Sequence, residues 1–230
     1  MIKDTEIQSL QQGHRIRLRQ KFLDGKLTEY EILELLLTYA IPRRDVRALS
    51  RQLFKKYGSI KKLLSDDFSS LIKNDGIKEN TATLLKLIAK ITELEYKSVL
   101  NEMPVFYDSK KLENYCKSVV AGKTIEEFHV LYLDAQFKLI EDVLHSAGTN
   151  DWAAVYIREI VKKALELNSS SVILLHNHPT PYVSFSTQDI EITQELYSAL
   201  NKLNIGLYDH LLVSGDVIYS ARNMHLLDNL

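Results

Sequence analysis

A chain of 230 residues, 45% hydrophobic and 26% charged, has room for one large globular domain or two small ones. Its single cysteine, Cys116, excludes an internal disulfide and a thiolate zinc cluster. The formal net charge of −1 hides a split: residues 1–100 carry 19 Lys+Arg against 13 Asp+Glu, and residues 101–230 carry 10 against 17, so only the first part could favour nucleic acid.

The opening "MIKDTEIQSLQQGHRIRLRQ" has no long apolar run, and no stretch of the chain is apolar enough for a membrane span. A soluble cytoplasmic protein with no membrane partner is expected. The first hundred residues read as helices. In "TEYEILELLLTYAI" the spacing of Ile32, Leu35, Leu36 and Tyr39 predicts one apolar helix face, stopped by Pro42. In "RRDVRALSRQLFKKYGS" Val46, Leu49, Leu53 and Phe54 share a face, and Gly58 is a C-cap candidate. The stretch from Ser59 to Leu100 reads as two or three more helices. Basic residues cluster twice, as Arg15, Arg17, Arg19 and Lys21, and as Arg43, Arg44, Arg47 and Arg51.

Near residue 101 the texture changes, and "NEMPVFYDSKK" reads as a linker. "EEFHVLYLDAQFKLIEDVLHSAG" reads as two strands joined by a tight turn at Asp134–Phe137. Next comes an amphipathic helix with Ile157, Ile160, Val161, Ala164 and Leu165 on one face. The strand "SSVILLH", the helix "STQDIEITQELYSALNKLN" and a strand–turn–strand around Gly215–Asp216 follow. The order β-β-α-β-α-β-β predicts a mixed sheet flanked by helices. The expected fold class is α+β, with an all-helical domain at 1–100 followed by the sheet domain at 101–230.

The chemistry concentrates in "ILLHNHPTPYVSFSTQDIEIT", residues 173–193. Residues i and i+2 on a strand end point the same way, so His176 and His178 can offer two imidazoles to one ion. Asp189, returned by the loop, would be a third ligand, and imidazole with carboxylate suits a zinc that keeps a position for water. Glu126 or Glu127, at the start of the first strand, could supply the base. A structural reading competes: Ser186 and Asp189 form a capping box for the following helix. Both can hold together, if Ser186 starts the helix while Asp189 faces the ion. A nucleobase deaminase is excluded, because one cysteine cannot supply its P-C-x-x-C ligands. No G-x-x-x-x-G-K-[ST] phosphate loop is present. His129, His145 and His225 have no partner pattern and read as surface or strand residues, His210 as orienting the sheet end, and Cys116 as packing.

An upstream Glu, then H-x-H-P, a short gap and S-x-x-D, resembles the JAMM (MPN-plus) metalloprotease pattern. "HNHP" with "STQDIEIT", "EEFHVLYLDAQFKLI", Arg158, Glu159, Ala164 and Leu165 of the middle helix, and "YDHLLVSG" around Asp209 and His210 resemble the RadC branch of that family. The resemblance covers about residues 105–222. It implies one Zn2+ per chain held by His176, His178 and Asp189, with Glu126 as general acid/base and Ser186 stabilising the oxyanion. Glu126 is preferred to Glu127 because it stands two before the aromatic Phe128. The reaction implied is attack of water on a peptide or isopeptide bond of a protein or peptide substrate. Family members read "HNHPSGDP.PS..D"; this chain has "HNHPTPYVSFSTQD", with Thr180, Pro181 and Tyr182 in place of Ser-Gly-Asp. The end "SARNMHLLDNL" departs from the usual Gly-containing tail.

The first half, with "GHR.RLR..F" and "ELLLTYAIPRRD", looks like the N-terminal domain of RadC-type proteins. "LIKNDGIKENTATLLKLI" resembles a helix–hairpin–helix in which Lys78 replaces the second Gly after Gly76 and Ile77. Such hairpins hold a DNA phosphate, so Gly76, Ile77 and Lys78 are the candidate contacts. Two readings follow: a zinc-dependent JAMM-type hydrolase, or a non-enzymatic DNA-associated protein of the DNA-repair type that uses the fold as a scaffold. A scaffold without either role is a third.

Overall fold

The computed structural model describes residues 2–148, 155–181 and 183–228; Tyr182 of the substituted loop lies outside them. The chain divides into two compact units, residues 1–89 and 90–230.

The first unit is helical: α1 (Ile2–Leu23), α2 (Glu29–Ala40), α3 (Arg47–Tyr57), α4 (Ile60–Ser65), α5 (Phe68–Ile72) and the start of α6 (Glu79–Glu102). Three of these starts follow local capping chemistry, whereas α3 begins after Val46 without a side-chain cap. Thr28 and Glu31 form a capping box at α2, and Ser59 and Asp67 cap α4 and α5. Gly58 ends α3 in the left-handed conformation at φ 76°, which its lack of a Cβ permits. Val46, Leu53, Leu63, Leu71, Ile77, Ala82 and Leu85 fill the core, with Leu49 and Phe54 packed on it.

In α2 half of the expected face holds: Leu35 is buried and Leu36 packs on the core, whereas Ile32 is 40% and Tyr39 62% exposed and Leu33 and Leu37 are inside. Apolar residues occupy both faces of "ILELLLTY", so periodicity alone does not select the side. The core takes Leu33 and Leu37, and the neighbouring buried Glu34 is paired with His14 at 2.6 Å.

The second unit adds α7 (Ser109–Val120), β1 (Glu127–Leu133), β2 (Leu139–Ala147), α8 (Val155–Glu166), β3 (Ser171–His178), α9 (Thr187–Asn201), β4 (Gly206–Ser214) and β5 (Val217–Ser220). Helix α7 begins inside the expected linker and fills a stretch to which the sequence reading assigned no element. Asp108 caps it through Lys110 N and Lys111 N, and Leu112, Tyr115, Cys116 and Val120 make its buried stripe. Cys116 is fully buried, and burial pushes its thiol well above the usual range, so it packs and does not react.

The five strands form one mixed sheet in the order β2-β1-β3-β4-β5. β3 and β4 are parallel and the other neighbours antiparallel. The β1–β2 turn is built by Asp134, whose Oδ1 accepts from Gln136 N at 2.8 Å and Lys138 N at 2.9 Å. Strand alternation sends Leu131, Leu133, Ile173, Leu175, Leu211 and Val213 to the face covered by α7 and the end of α6. It sends Phe128, Val130, Tyr132, Val172 and Leu174 to the other face, covered by Ile160 and Ala164 of α8 and Ile192, Leu196 and Leu200 of α9. Leu165, expected on the packed face of α8, is 53% exposed. Among the described residues no helix is long and apolar enough to cross a membrane.

Candidate metal centre

His176 and His178 stand at the carboxyl end of β3 on the α9 side of the sheet, as the alternation requires. β1 pairs beside them with Phe128 opposite His176. Asp189 lies in the first turn of α9. Single ligand atoms from Glu126, His176, His178 and Asp189 all lie within 4.8 Å of one another. His176 Nε2 is 3.2 Å from His178 Nε2 and 3.3 Å from Asp189 Oδ1, and His178 Nε2 is 3.4 Å from Asp189 Oδ2. Ligand bonds of about 2.0–2.1 Å in a tetrahedron place donor atoms about 3.3–3.4 Å apart. Two facing imidazole nitrogens with a carboxylate at that spacing fit a divalent cation.

Glu126 is one residue upstream of β1, with Oε1 3.8 Å from His178 Nε2. Glu127 turns to the opposite side, where Lys123 lies 3.1 Å from one carboxylate oxygen and His129 3.4 Å from the other. Burial raises the Glu126 carboxyl, the two histidines oppose that rise and Asp189 adds to it.

Asp189 serves two purposes at once. Ser186 Oγ and Ser186 N each donate to its Oδ2 at 2.7 Å, and Asp189 N donates back to Ser186 Oγ at 3.1 Å. That is a capping box for α9. The same carboxylate faces both histidines. Burial alone would raise it; the hydrogen bonds to His176, His178 and Ser186 outweigh burial and hold it far below the carboxylate range. His178 is correspondingly raised, chiefly by its hydrogen bond to Asp189.

Three further residues shape the site. Asn177, between the histidines, points to the other side: its Oδ1 accepts from Glu127 N at 2.9 Å and its Nδ2 donates to Ile125 O at 3.0 Å. It thus holds the backbone on either side of Glu126. Fully buried His210 lies 2.8 Å from His176 Nδ1 and 2.6 Å from Thr193 Oγ1. Asn177 and Thr193 escaped the sequence reading; the only cue for Asn177 was its place between two histidines. In the substituted loop, Ser214 Oγ donates to Thr180 O at 2.9 Å and accepts from Val183 N at 2.9 Å. Phe185 packs on the rings of His176 and His210. A cleft of about 400 Å³ lies towards the α7 side, lined by Val120, Ala121, Lys123, Asn177 and Val213, and reaches the metal group only at His178.

The other histidines are not unpartnered. His129 is buried and sits 2.9 Å from Asp142, His145 meets the Tyr132 hydroxyl at 2.8 Å, and exposed His225 pairs with Asp228 at 2.7 Å. In the helical half, Gly76 adopts φ 87°, Lys78 is exposed, and the side chain of Ile77 is 4% exposed. The Ile77 side chain therefore packs in the core, so any phosphate contact there would fall to backbone amides. Arg15 donates to the carbonyl oxygens of Ile41, Pro42 and Arg44, Lys21 pairs with Glu31, and Arg47 pairs with Asp45.

Known proteins agree with this picture. Residues 106–226 match the family described as RadC-like JAB domain. A similar protein is the UPF0758 protein FN0909 of Fusobacterium nucleatum subsp. nucleatum. It is 36% identical over 219 residues, which cover 91% of this chain and 94% of that protein. The chain therefore belongs to the RadC family, with a RadC-like JAB domain over residues 106–226 that contains the Glu126–His176–His178–Asp189 group.

Proposed function

We propose that this protein is a zinc-dependent hydrolase of the JAMM type that cleaves a peptide or isopeptide bond. The observation that carries the reading is the convergence of two imidazoles and two carboxylates at one strand end. His176, His178 and Asp189 would hold the ion, about one per chain. When bound, zinc supplies Lewis acidity and makes water acidic enough to be a nucleophile near neutral pH.

The chain's own groups do the rest. Glu126 takes a proton from the attacking water and returns it to the departing amine nitrogen. Its half-buried carboxyl, raised by burial, suits both directions of that transfer. Ser186 can turn its hydroxyl proton towards the developing oxyanion without stripping Asp189, because Ser186 N still donates to the same Oδ2.

The test has two parts. Zinc content of the purified wild type should be about one per chain, and His178→Ala should lower it at least tenfold. A quenched-fluorescent peptide and isopeptide library should be cleaved by the wild type and not by Glu126→Gln, which keeps its zinc. Negligible zinc in both proteins, or equal cleavage by Glu126→Gln, would refute the reading.

A DNA-associated role through the basic helical half draws less support. Arg15, Lys21 and Arg47 are tied to the protein itself. That reading requires salt-sensitive binding of single-stranded or branched DNA that survives Glu126→Gln.

A further inference from the structure

Thr193 belongs to neither the metal group nor the capping box, yet it touches both. Its side chain is buried in α9, and its Oγ1 donates to Asp189 O one turn earlier. A hydroxyl has one proton, so this oxygen can only accept from His210, whose Nδ1 lies 2.6 Å away. His210 must then carry its proton on Nδ1 and leave Nε2 as an acceptor. His176 Nδ1, 2.8 Å from that Nε2, supplies the proton. The lone pair of His176 is thereby fixed on Nε2, the nitrogen that faces His178 and Asp189.

We propose that Thr193 and His210 are positioning residues that set the tautomer and ring orientation of His176 for the metal. The opposite arrangement is self-defeating. With its proton on Nε2, His210 would donate to His176 Nδ1 and drive the His176 proton onto Nε2. That proton would then point at His178 Nε2, only 3.2 Å away, where the ion would sit. Thr193 would also have to abandon Asp189 O to serve His210 Nδ1. The hydroxyl of Thr193 decides between the two arrangements, since a backbone carbonyl can only accept. Partners behind a ligating histidine are worth about 10–100-fold in metal affinity.

The inference rests on the zinc reading and extends it to residues that never touch the ion. Competition of Zn2+ between the full-length protein and a chromogenic chelator tests it without any substrate. His210→Phe keeps a ring in the buried slot and removes the acceptor; affinity should fall about 10–100-fold. His210→Gln, whose Oε1 can still accept from His176 Nδ1, should recover most of the loss. Thr193→Val is nearly isosteric, guards against misfolding of the His210 variants, and should also weaken binding. Nitrogen NMR should show His210 protonated on Nδ1 in the wild type. Zinc binding by the wild type with undiminished affinity in His210→Phe and Thr193→Val would overturn this inference alone. Protonation of His210 on Nε2 would do the same, whereas absence of zinc binding in the wild type would remove the zinc reading itself.

Discussion

Asn177→Ala should separate holding the metal from doing the chemistry. The side chain is 2% exposed and forms two hydrogen bonds, to Glu127 N and to Ile125 O. Truncation leaves the buried Glu127 N–H without its acceptor, which costs about 1–3 kcal/mol, and forfeits a second bond worth about 1 kcal/mol. The total is about 2–4 kcal/mol. A unit of roughly 140 residues unfolds with an entropy of about 0.3 kcal/mol/K, so its melting temperature should drop by about 7–13 °C. Asn177→Asp keeps the acceptor and should cost less. Melting by circular dichroism gives the magnitude, and amide exchange at Glu127 gives the location. Freed backbone at Ile125–Glu127 would let Glu126 drift, so cleavage should fall about 100-fold while zinc content stays at the wild-type level. A variant that melts within about 1 °C of wild type with Glu127 N–H still protected would show that this clamp does not act as described.

Two other outcomes are expected. Without metal, the raised pKa of His178 means that its ion pair with Asp189 is fully present below the unfolded-state value and is lost as pH rises through the higher folded value. The depressed Asp189 places the opposite limit, with stability lost as pH falls into the carboxylate range. In excess chelator, melting temperature should therefore decline as pH rises above about 6.5 in the wild type, more than in His178→Gln. With zinc the trend should reverse, since the ligands bind metal when deprotonated; identical chelator profiles for the two proteins would contradict the ion pair. In the helical unit, Gly76→Ala should destabilise by about 1–3 kcal/mol. Gly76 has φ 87° and an added Cβ would meet Leu49 Cδ1 at 3.2 Å; calorimetry showing an unchanged melt would argue against that strain.

The candidate metal-group residues were legible in the sequence partly through local rules and partly through the family resemblance. Alternation puts His176 and His178 on one face, whereas the choice of Glu126 over Glu127 came from the resemblance, which sets the acid two before Phe128. The capping pattern puts Asp189 in the first turn of α9. The rest depends on register between distant segments. His210 meets His176 only because β4 lies parallel to β3, with Leu174 opposite His210. Thr193 meets His210 because α9 crosses back over that strand pair, and His129 finds Asp142 across the β1–β2 ladder. Helix α7 was missed although Leu112, Tyr115, Cys116 and Val120 recur at helical spacing, because Pro104 and the polar run after it read as a linker. The inward side of α2 was hard to read because apolar residues lie on more than one face and the buried side includes Glu34 and Thr38.

The order in which the site's parts occur along the chain has a consequence for how an assay of metal content should be read. His176, His178 and Asp189 lie on one continuous strand–loop–helix segment, tied together by the Ser186 cap and by Ser214. Glu126 arrives from the other end of the unit and is docked through a contact between residues 50 apart in sequence. Closing so long a loop is entropically dearer than closing the short one. On the proposed chemistry, a molecule whose first strand has peeled away would still retain His176, His178 and Asp189 and lose Glu126. Metal occupancy would then report the integrity of the local segment, and only turnover would report that the whole sheet has closed.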